Sequence, residues 1–415
     1  IGGARRRSER NDPGVIGIPS TSPTGVVVIL SRPALFAALL FLAACGDSKP
    51  SSSLSTTTDS AGVTIVVGPA VDSALPWRLT EVRRIGGADS GMSSFTRASS
   101  GVVATDGRAT IAVLDWESTE QIQLFDSTGT WQRSVGAKGG GPGELLAPAG
   151  ITMDRDGRLI AFDWEKMALV QWAADGAPLP EIKWSQGEGF PYGVPRFHGD
   201  SMMALVQLTD SLRRVTRLEV RTPRGTVALD STVGPAPKMV MLSCVGLSLP
   251  PLFTGQLAWA MGPGTLFTTP QTTYQVDVRE GTRLVRSVRR AIAPVAATKQ
   301  DASRLYPEGM KVRFGGGREC VTPSEEVAEK IGVAATLPMV KAMAVAPNGE
   351  LWVQRYTFEG ETPSVDVFDA GGAYLGTVTG KGVPLGFLGN DLILFSIENP
   401  DDGTSIIGVY RIARS

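Results

Sequence analysis

The sequence predicts an all-β fold, a six-bladed β-propeller with a short helical insertion between blades 4 and 5. Glycine (49) and proline (28) are abundant among the 415 residues, which is typical of short strands joined by tight turns. Short apolar runs alternate with turn residues along most of the chain. The runs recur in units of about 40–50 residues, a period that predicts propeller blades buried against their neighbours. Six units are recognised, and a seven-bladed ring is the competing count.

The N-terminal residues predict an export signal and a lipid anchor. Residues 34–44 (ALFAALLFLAA) are too few to span a membrane, which takes about 20 apolar residues, but they suit the core of a signal peptide. Residues 42–46 (LAACG) resemble the bacterial lipobox, in which the cysteine, here Cys45, is acylated and becomes the mature N-terminus. The resemblance implies a location in the bacterial cell envelope, periplasmic or at the outer membrane. A weak secretory signal with an incidental cysteine is the alternative.

The chain therefore divides into three predicted segments. Residues 1–44 are the signal peptide with the segment upstream of it, and residues 45–60 are a lipidated, flexible tether rich in Ser and Thr. Residues 61–415 are the propeller domain. In rings of this kind the first and last strands usually share a blade, so we expect residues 63–67 to lie beside residues 406–412.

The clearest repeat unit is residues 135–176, and a copy precedes it. The Asp-Gly pair at 156–157 matches the pair at 106–107, an offset of 50 residues. The Asp-Trp-Glu sequence at 163–165 matches the one at 115–117, an offset of 48 residues. Later copies are weaker, except for a clear fifth one. The Asp-Gly pairs predict tight hairpin turns in which both positions have positive φ, because Gly and Asn or Asp tolerate that conformation.

Residues 296–337 interrupt the strand pattern. Within them, residues 324–331 carry a helix signature, with Pro323 before the first turn and Glu325 and Glu326 inside it. The interruption predicts two short helices inserted between blades 4 and 5 and lying over one end of the ring. An insertion on a repeat scaffold either shapes a binding face or only covers exposed sheet, and both interpretations stay open.

The second unit resembles an NHL-type propeller repeat. The resemblance rests on the glycine-rich stretch at residues 139–144 (GGGPGE), the Asp-Gly turn, the apolar strand that ends at Asp163, and the final strand at residues 170–172. The mature chain is similar to bacterial six-bladed, NHL-repeat-like propeller lipoproteins of unassigned function, which implies a fold and no particular activity. The glycine-rich stretch lacks the Gly-Lys-Ser/Thr of a phosphate-binding loop, so we interpret it as a connection between blades.

Composition excludes several classes of function. With 40 Lys and Arg against 41 Asp and Glu, nothing in the composition suggests a nucleic-acid partner, which would require a basic surface. The single histidine, His198, excludes a multi-histidine metal site, and we interpret it as a loop or surface residue. Cys244 and Cys320 predict a disulfide in an oxidising compartment, with two buried free thiols as the alternative.

The repeated Asp-Trp-Glu sequence supplies the candidate binding residues. Equivalent positions of neighbouring blades lie at one end of a ring, so Trp116 and Trp164, with Glu117 and Glu165 beside them, are expected to form a stacking surface for a ligand. Tyr356, in the fifth unit, is a weaker member of the same set. The alternative is that the tryptophans pack between blades and the acids are solvated.

The favoured hypothesis is a non-catalytic, monomeric, lipid-anchored scaffold that binds an unknown protein, peptide or carbohydrate at one mouth of the ring, near the insertion. No cofactor is predicted. The alternative is a metal-dependent propeller hydrolase or lyase, lactonase-like, that uses acidic residues on the axis. An axial Ca²⁺ requires several converging oxygen ligands, and the sequence does not show that the candidate acids converge. Those candidates are Asp115, Asp163, Asp200 and Asp277.

Overall fold

A computed structural model describes most of the chain from residue 54 onward. The described residues are 54–87, 91, 94–95, 97–185, 189–199, 201–210, 212–222, 224–314 and 318–414. The predicted signal segment, the lipidation site Cys45 and residues 45–53 of the predicted tether lie outside them. Within the described part of the chain, no helix is long and apolar enough to cross a membrane.

The first half of the chain forms three antiparallel blades, each following the last in sequence. Three strands precede blade 1: β1 (Thr56–Ser60), β2 (Val63–Gly68) and β3 (Arg78–Ile85). Blade 1 comprises β4 (Val103–Thr105), β5 (Ile111–Asp115), β6 (Gln121–Phe125) and β7 (Trp131–Val135). Blade 2 comprises β8 (Pro148–Met153), β9 (Leu159–Asp163), β10 (Ala168–Trp172) and β11 (Pro178–Lys183). Blade 3 comprises β12 (Phe190–Pro191), β13 (Arg196–His198), β14 (Ser201–Thr209), β15 (Arg213–Thr222) and β16 (Gly225–Pro235).

The second half adds three blades and two extra hairpins. A hairpin of β17 (Lys238–Met241) and β18 (Gly246–Leu249) precedes blade 4, which comprises β19 (Ala258–Met261), β20 (Leu266–Thr269), β21 (Gln275–Glu280) and β22 (Arg283–Arg290). The insertion contains α1 (Asp301–Leu305), β23 (Met310–Arg313), β24 (Glu319–Thr322) and α2 (Ser324–Ile331). Blade 5 comprises β25 (Val340–Val345), β26 (Leu351–Arg355), β27 (Ser364–Phe368) and β28 (Tyr374–Thr379), and blade 6 comprises β29 (Gly386–Leu388), β30 (Leu392–Glu398), β31 (Ser405–Ala413) and β3. The prediction of six blades and a helical insertion is confirmed.

The ring closes through β3, so the predicted closing strand is wrong. β3 pairs antiparallel with β31 in blade 6, with Leu79 opposite Ile412 and Ile85 opposite Ile407. β2, which contains residues 63–67, instead pairs parallel with β22 at the outer edge of blade 4. The sequences of β2 and β3 are both suited to a strand at the edge of a blade. Long-range pairing alone decides that β3 completes blade 6.

The strand β1 shortens the predicted tether. Residues 56–60, which were expected to be flexible, form a hairpin with β2 in the register Ser60 opposite Val63. The two turn residues between them, Ala61 and Gly62, both have positive φ (53° and 81°), the conformation that matches the twist of a tight hairpin. The threonines of β1 are β-branched and favour an extended strand once β2 offers an edge to pair with.

Each pair of neighbouring blades shares one apolar core. There are six such clusters among the described residues, one at each interface of the ring. Representative fully or almost fully buried members are Phe125 (blades 6 and 1), Leu159 (1 and 2), Phe162 (2 and 3), Leu218 (3 and 4), Phe368 (4 and 5) and Trp352 (5 and 6). The blades therefore bury both faces against neighbours, which explains why the apolar runs of β5, β9 and β10 are continuous rather than alternating.

The hairpin turns use glycine differently from the prediction. In the turn after β8, the N–H of Gly157 donates to the Asp154 carbonyl at 3.1 Å, and the N–H of Asp154 donates to the Arg158 carbonyl at 3.0 Å. Gly157 has a φ of 81°, whereas Asp156 does not have a positive φ. Only the glycine needs the left-handed conformation, because the loop is a type I turn closed by a glycine rather than a two-residue turn.

The insertion packs with the β17–β18 hairpin into a separate apolar cluster. Its buried members include Phe253, Met310, Val327 and Phe358. A disulfide joins Cys244, in the turn between β17 and β18, to Cys320 in β24, with a Cα–Cα distance of 5.9 Å. The bond therefore links two connections between blades to each other, and we call this assembly the cap. The hairpin β23–β24 inside the insertion had no counterpart in the sequence-based prediction.

Turns fall at two opposite ends of each blade because neighbouring strands are antiparallel. One end carries the turns between the first and second strands and between the third and fourth; we call it the Asp-Gly end, after the turns at residues 106–107 and 156–157. The other carries the turns between the second and third strands together with the connections to the next blade. We call it the Trp end, because the turns after β5 and β9 carry Trp116 and Trp164.

Candidate functional site

The Asp-Trp-Glu turn of blade 2 is held in place by its aspartate. The carboxylate of Asp163, which is fully buried, accepts N–H groups from Leu146 at 2.7 Å and Ala147 at 3.1 Å through Oδ2. Its Oδ1 accepts the N–H of Lys166 at 2.9 Å. The aspartate at the end of β9 thus ties the turn to the connection that enters blade 2, and Trp164 stands on a rigid base.

Lys166 fixes the glycine-rich stretch at residues 139–144. Its ammonium group donates to the carbonyls of Gly141 and Glu144, both at 2.9 Å, and pairs with the carboxylate of Glu181. The carboxylate of Glu144 accepts the N–H of Gly141 at 2.7 Å. Several donors and acceptors of the stretch are used for contacts within the protein, which supports its interpretation as a connection between blades.

Asp115, the equivalent residue of blade 1, lies in a different environment. Its side chain is buried, and Oδ2 has no hydrogen-bond partner. Desolvation raises the pKa of Asp115, and hydrogen bonds from Thr119 and Ser118 only partly oppose that effect. The two copies of one sequence motif therefore carry one carboxylate that accepts three backbone N–H groups and one with a buried oxygen that has no hydrogen-bond partner.

This contrast predicts opposite responses to substitution. Asp163→Asn is expected to lower the free energy of unfolding by about 1.5–3 kcal/mol, because three amide N–H groups lose a charged acceptor and one of the two accepting oxygens becomes a donor. Asp115→Asn is expected to change stability by less than about 0.5 kcal/mol at neutral pH, or to raise it, because it removes a poorly solvated charge. Urea denaturation of the two variants measures both values.

The pH dependence of Asp115→Asn provides the control. A raised folded-state pKa contributes stability below the ordinary value of 3.8, and that contribution is lost as the pH rises through the folded-state pKa. The free energy of unfolding of Asp115→Asn, relative to that of the wild type, should therefore increase as the pH rises from the ordinary value of 3.8 through the folded-state pKa of Asp115. A difference that stays constant, or that moves the other way, would contradict the environment described for Asp115.

Trp164 belongs to an exposed group of aromatic rings at the Trp end. Its side chain is 42% exposed, and its ring lies 5.0 Å from Phe162 and 6.4 Å from Phe190, measured between centroids. Phe190 is 56% exposed and Tyr192 is 48% exposed. The N–H of Tyr192 donates to the Leu205 carbonyl and so extends the pairing of β12 with β14. Residues two apart in an extended strand face the same side, as Phe190 and Tyr192 do here. We call Trp164, Phe190 and Tyr192 the aromatic surface.

The other predicted binding residues do not join this surface. Trp116 is half-buried and packs against the core between blades 1 and 2, and within the described residues no ring contact connects it to Trp164. Glu117 is exposed and forms an ion pair with Arg97 at 3.4 Å, and Glu165 is exposed. Tyr356 packs edge-on against Phe253 and Phe358 in the core of the cap. The expected set of five therefore lies at one end of the ring without forming one site.

A central channel runs along the axis of the ring. Its volume is about 710 Å³, and the first strand of every blade contributes to its wall. The wall extends from Gly101 and Gly193, near the Trp end, to the turns at the Asp-Gly end. No described residue of the insertion lines it, so the expectation of a binding mouth beside the insertion does not apply to the channel. His198 ends β13 and lines the channel wall near the Asp-Gly end.

The acids proposed for an axial metal site are dispersed. Asp115 and Asp163 lie in turns at the Trp end, and Asp277 accepts a hydrogen bond from Gln275 at 2.9 Å within blade 4. Asp200 lies outside the described residues. Across the part of the chain that the structure describes, no group of three or more His, Cys, Asp or Glu side chains is arranged to hold a metal ion.

Two features of these sites escaped the sequence-based prediction. Phe190 and Tyr192 come from the connection between blades 2 and 3, where no repeat pattern marks them. Arg196 lines the middle of the channel, and its only signal was its position two residues before His198. Repeat analysis finds equivalent positions in each blade, whereas these residues are specific to blade 3.

Comparisons with known proteins agree with the fold. Residues 99–186 match the model of a family described as 6-bladed beta-propeller (DUF5128). A solved member of the DUF4221 family from Bacteroides vulgatus is 10% identical with a TM-score of 0.54, over 83% of this chain and 100% of that one. At this identity the likeness shows the fold alone. The chain is thus similar to bacterial six-bladed propeller proteins, as the resemblance implied.

Two further solved structures are more distant. A protein of Bacteroides fragilis described as exported is 11% identical with a TM-score of 0.46, over 84% of this chain and 99% of that one. Virginiamycin B lyase from Staphylococcus aureus is 11% identical with a TM-score of 0.37, over 81% of this chain and 100% of that one. No match is found among curated proteins.

Proposed function

We propose that this chain is an exported, lipid-anchored scaffold of the bacterial cell envelope that binds a partner protein through the aromatic surface. The observation that carries the proposal is the contact between two large, exposed aromatic side chains, Trp164 and Phe190, whose ring centroids lie 6.4 Å apart, with the exposed Tyr192 two residues after Phe190. Trp and Tyr are enriched among the residues that dominate the energy of protein–protein interfaces. Exposed apolar patches mark interaction sites on protein surfaces.

The rigidity of the surface supports this function. Asp163 and Lys166 fix the turn that presents Trp164, and the ladder with β14 fixes Phe190 and Tyr192. A turn and a strand that are already ordered need not become ordered when the partner binds, so their backbone adds little to the entropy cost of association. Acylation at Cys45 would keep the scaffold at the membrane, where each buried methylene contributes about 0.8 kcal/mol.

Site-specific photocrosslinking in the expressing cell tests the partner. A photoreactive amino acid replaces Phe190 in one variant and, as a matched control, Leu212 in another; both positions are exposed apolar residues (56% and 84%), and only the first belongs to the aromatic surface. We expect a discrete protein adduct from position 190 and none of that mass from position 212. When Trp164→Ala is added to the position-190 variant, the yield of the adduct should fall at least about tenfold. A tenfold loss corresponds to about 1.4 kcal/mol of binding free energy, and central interface residues contribute that much or more.

Three results would overturn the proposal. The first is an equal adduct pattern at positions 190 and 212. The second is an adduct at position 190 that Trp164→Ala leaves unchanged although the variant melts at the wild-type temperature. The third is Trp164-dependent binding of purified glycans without any protein adduct, which would assign the surface to carbohydrate.

A further inference from the structure

One arginine side chain lines the central channel away from the turns at its ends. Arg196 extends from β13 into the channel and is solvent-accessible, although the walls of the ring surround it. Among the described residues that line the channel, it is the only ionisable one away from the Asp-Gly end. The remaining ionisable lining residues are Asp106, Arg108, Asp154, Arg155, Asp156 and His198, which lie in or next to the turns at that end.

Arg196 has no anionic partner among the described residues. Its guanidinium forms no ion pair or hydrogen bond with a described residue. Desolvation lowers the pKa of Arg196, and no described carboxylate opposes that effect. Two of the acids at the Asp-Gly end are occupied elsewhere. Asp106 accepts the N–H groups of Arg108 and Ala109 at 2.8 and 2.9 Å, and Asp154 accepts Nε of Arg158 at 2.9 Å. Asp156, the third, lies in a turn at the mouth.

The surroundings of Arg196 are suited to an organic ligand. The centroid of the Trp259 ring lies 5.5 Å from its guanidinium carbon, so one face of the cation is bounded by an aromatic wall. Apolar residues, including Val194 and Met261, also line the channel. Val194 is two residues before Arg196 in the sequence, and Met261 is two residues after Trp259. A guanidinium offers a planar fork of donors that matches carboxylate and phosphate oxygens, and about 710 Å³ falls within the range of small-molecule sites.

We propose that the central channel binds a small organic oxyanion, a carboxylate or a phosphate ester, with Arg196 as the group that recognises the anion and Trp259 flanking it. This site is separate from the aromatic surface at the Trp end and does not depend on the function proposed for that surface. The ligand enters from the Asp-Gly end, where the exposed side chains of Arg108 and Arg155 lie. Its apolar part contacts the wall of the channel.

Calorimetric titration of the purified chain tests the site. The probes are benzoate, phenyl phosphate and inorganic phosphate, with benzamide as the uncharged analogue. We expect benzoate or phenyl phosphate to bind in the millimolar range or tighter, and benzamide to bind at least about tenfold more weakly, because a charge-assisted hydrogen-bond pair is lost. A preference between benzoate and phenyl phosphate distinguishes the two oxyanions. Arg196→Gln should weaken binding at least about tenfold, whereas Arg313→Gln, an exposed arginine in the cap, should leave it unchanged.

Thermal melting separates a recognition residue from a structural one. Without a probe, Arg196→Gln is expected to melt close to the wild-type temperature, because the exposed guanidinium forms no ion pair or hydrogen bond with a described residue. The proposal is overturned if none of the anionic probes binds the wild-type chain, or if Arg196→Gln binds them equally well. It is also overturned if a ligand-free experimental structure shows the Arg196 guanidinium paired with a carboxylate of the chain.

Discussion

Asp366→Ala is expected to lower the free energy of unfolding by about 3–5 kcal/mol, the usual effect of removing one member of a buried ion pair. Asp366 lies in β27 and its side chain is fully buried, as is that of Arg290 in β22. The Asp366 carboxylate accepts Nη1 of Arg290 at 2.9 Å, and it also accepts the hydroxyl groups of Tyr274 and Thr377, both at 2.6 Å. Asp366→Ala removes this carboxylate, so the three buried donor groups lose the acceptor that they share.

The same network attaches the N-terminal segment to the ring. The guanidinium of Arg290 also donates to the carboxylate of Asp72 at 2.9 Å and to the carbonyls of Pro69 and Val71. Burial, with Asp366 nearby, raises the pKa of Tyr274 well above its ordinary value, so its hydroxyl remains a donor across the physiological range. Losing Asp366 therefore weakens the interface of blades 4 and 5 and the docking of the segment at the same place.

Equilibrium unfolding in urea measures this effect. Asp391→Ala is the matched control, because the Asp391 side chain is 78% exposed and its Oδ1 lies 3.9 Å from Nη1 of Arg414. Exposed ion pairs of this kind contribute about 0–1 kcal/mol. Asp366→Asn separates charge from shape, since it keeps one acceptor and removes the charge. If Asp366→Ala falls within about 1 kcal/mol of the wild type, the network does not have the energetic role described here.

The second large effect is expected at the cap. Replacing Cys244 and Cys320 together with serine removes a cross-link over a sequence separation of 76 residues. The chain-entropy relation gives about 4.5 kcal/mol for a loop of that length, and native disulfides typically contribute about 2–5 kcal/mol. Because the bond joins the β17–β18 hairpin to β24, we expect the loss to appear first in the cap and the neighbouring blades 4 and 5.

Reduction of the wild-type chain provides the control for this variant. A reductant should lower the melting temperature of the wild type towards that of the double-serine variant and leave the variant itself unchanged. Hydrogen exchange should show faster exchange in β17, β18, β23 and β24, with little change in blades 1 and 2. Equal melting temperatures for oxidised and reduced wild type would show that the cross-link contributes no stability.

The sequence was sufficient for the architecture because the blades repeat. Each repeat places an apolar strand before a turn motif, and the spacing between the motifs at residues 106–107 and 156–157 already sets the size of a blade. Local chemistry also located α2, since Pro323, Glu325 and Glu326 mark its start. These signals act within one turn or one hairpin, which is why one sequence suffices to find them.

Long-range pairing was not accessible in the same way. β2 and β3 are both short strands before blade 1, and their different partners, β22 and β31, lie more than two hundred residues away in the chain. The candidate site shows the same limit. Trp164 was found because its motif repeats, but its neighbour Phe190 and the environment that separates Asp163 from Asp115 depend on connections that differ from blade to blade.

Closure of the ring by β3 affects the cooperativity of unfolding. An open row of six blades has five interfaces and two uncovered end faces, so its end units can unfold one at a time, as in linear repeat proteins. Pairing β3 with β31 creates the sixth interface, with its own core around Phe125, and leaves no end unit. Detaching any one blade then exposes two cores at once. We therefore expect the six blades to unfold together rather than one at a time. The pairing of β3 with β31 is expected to break first.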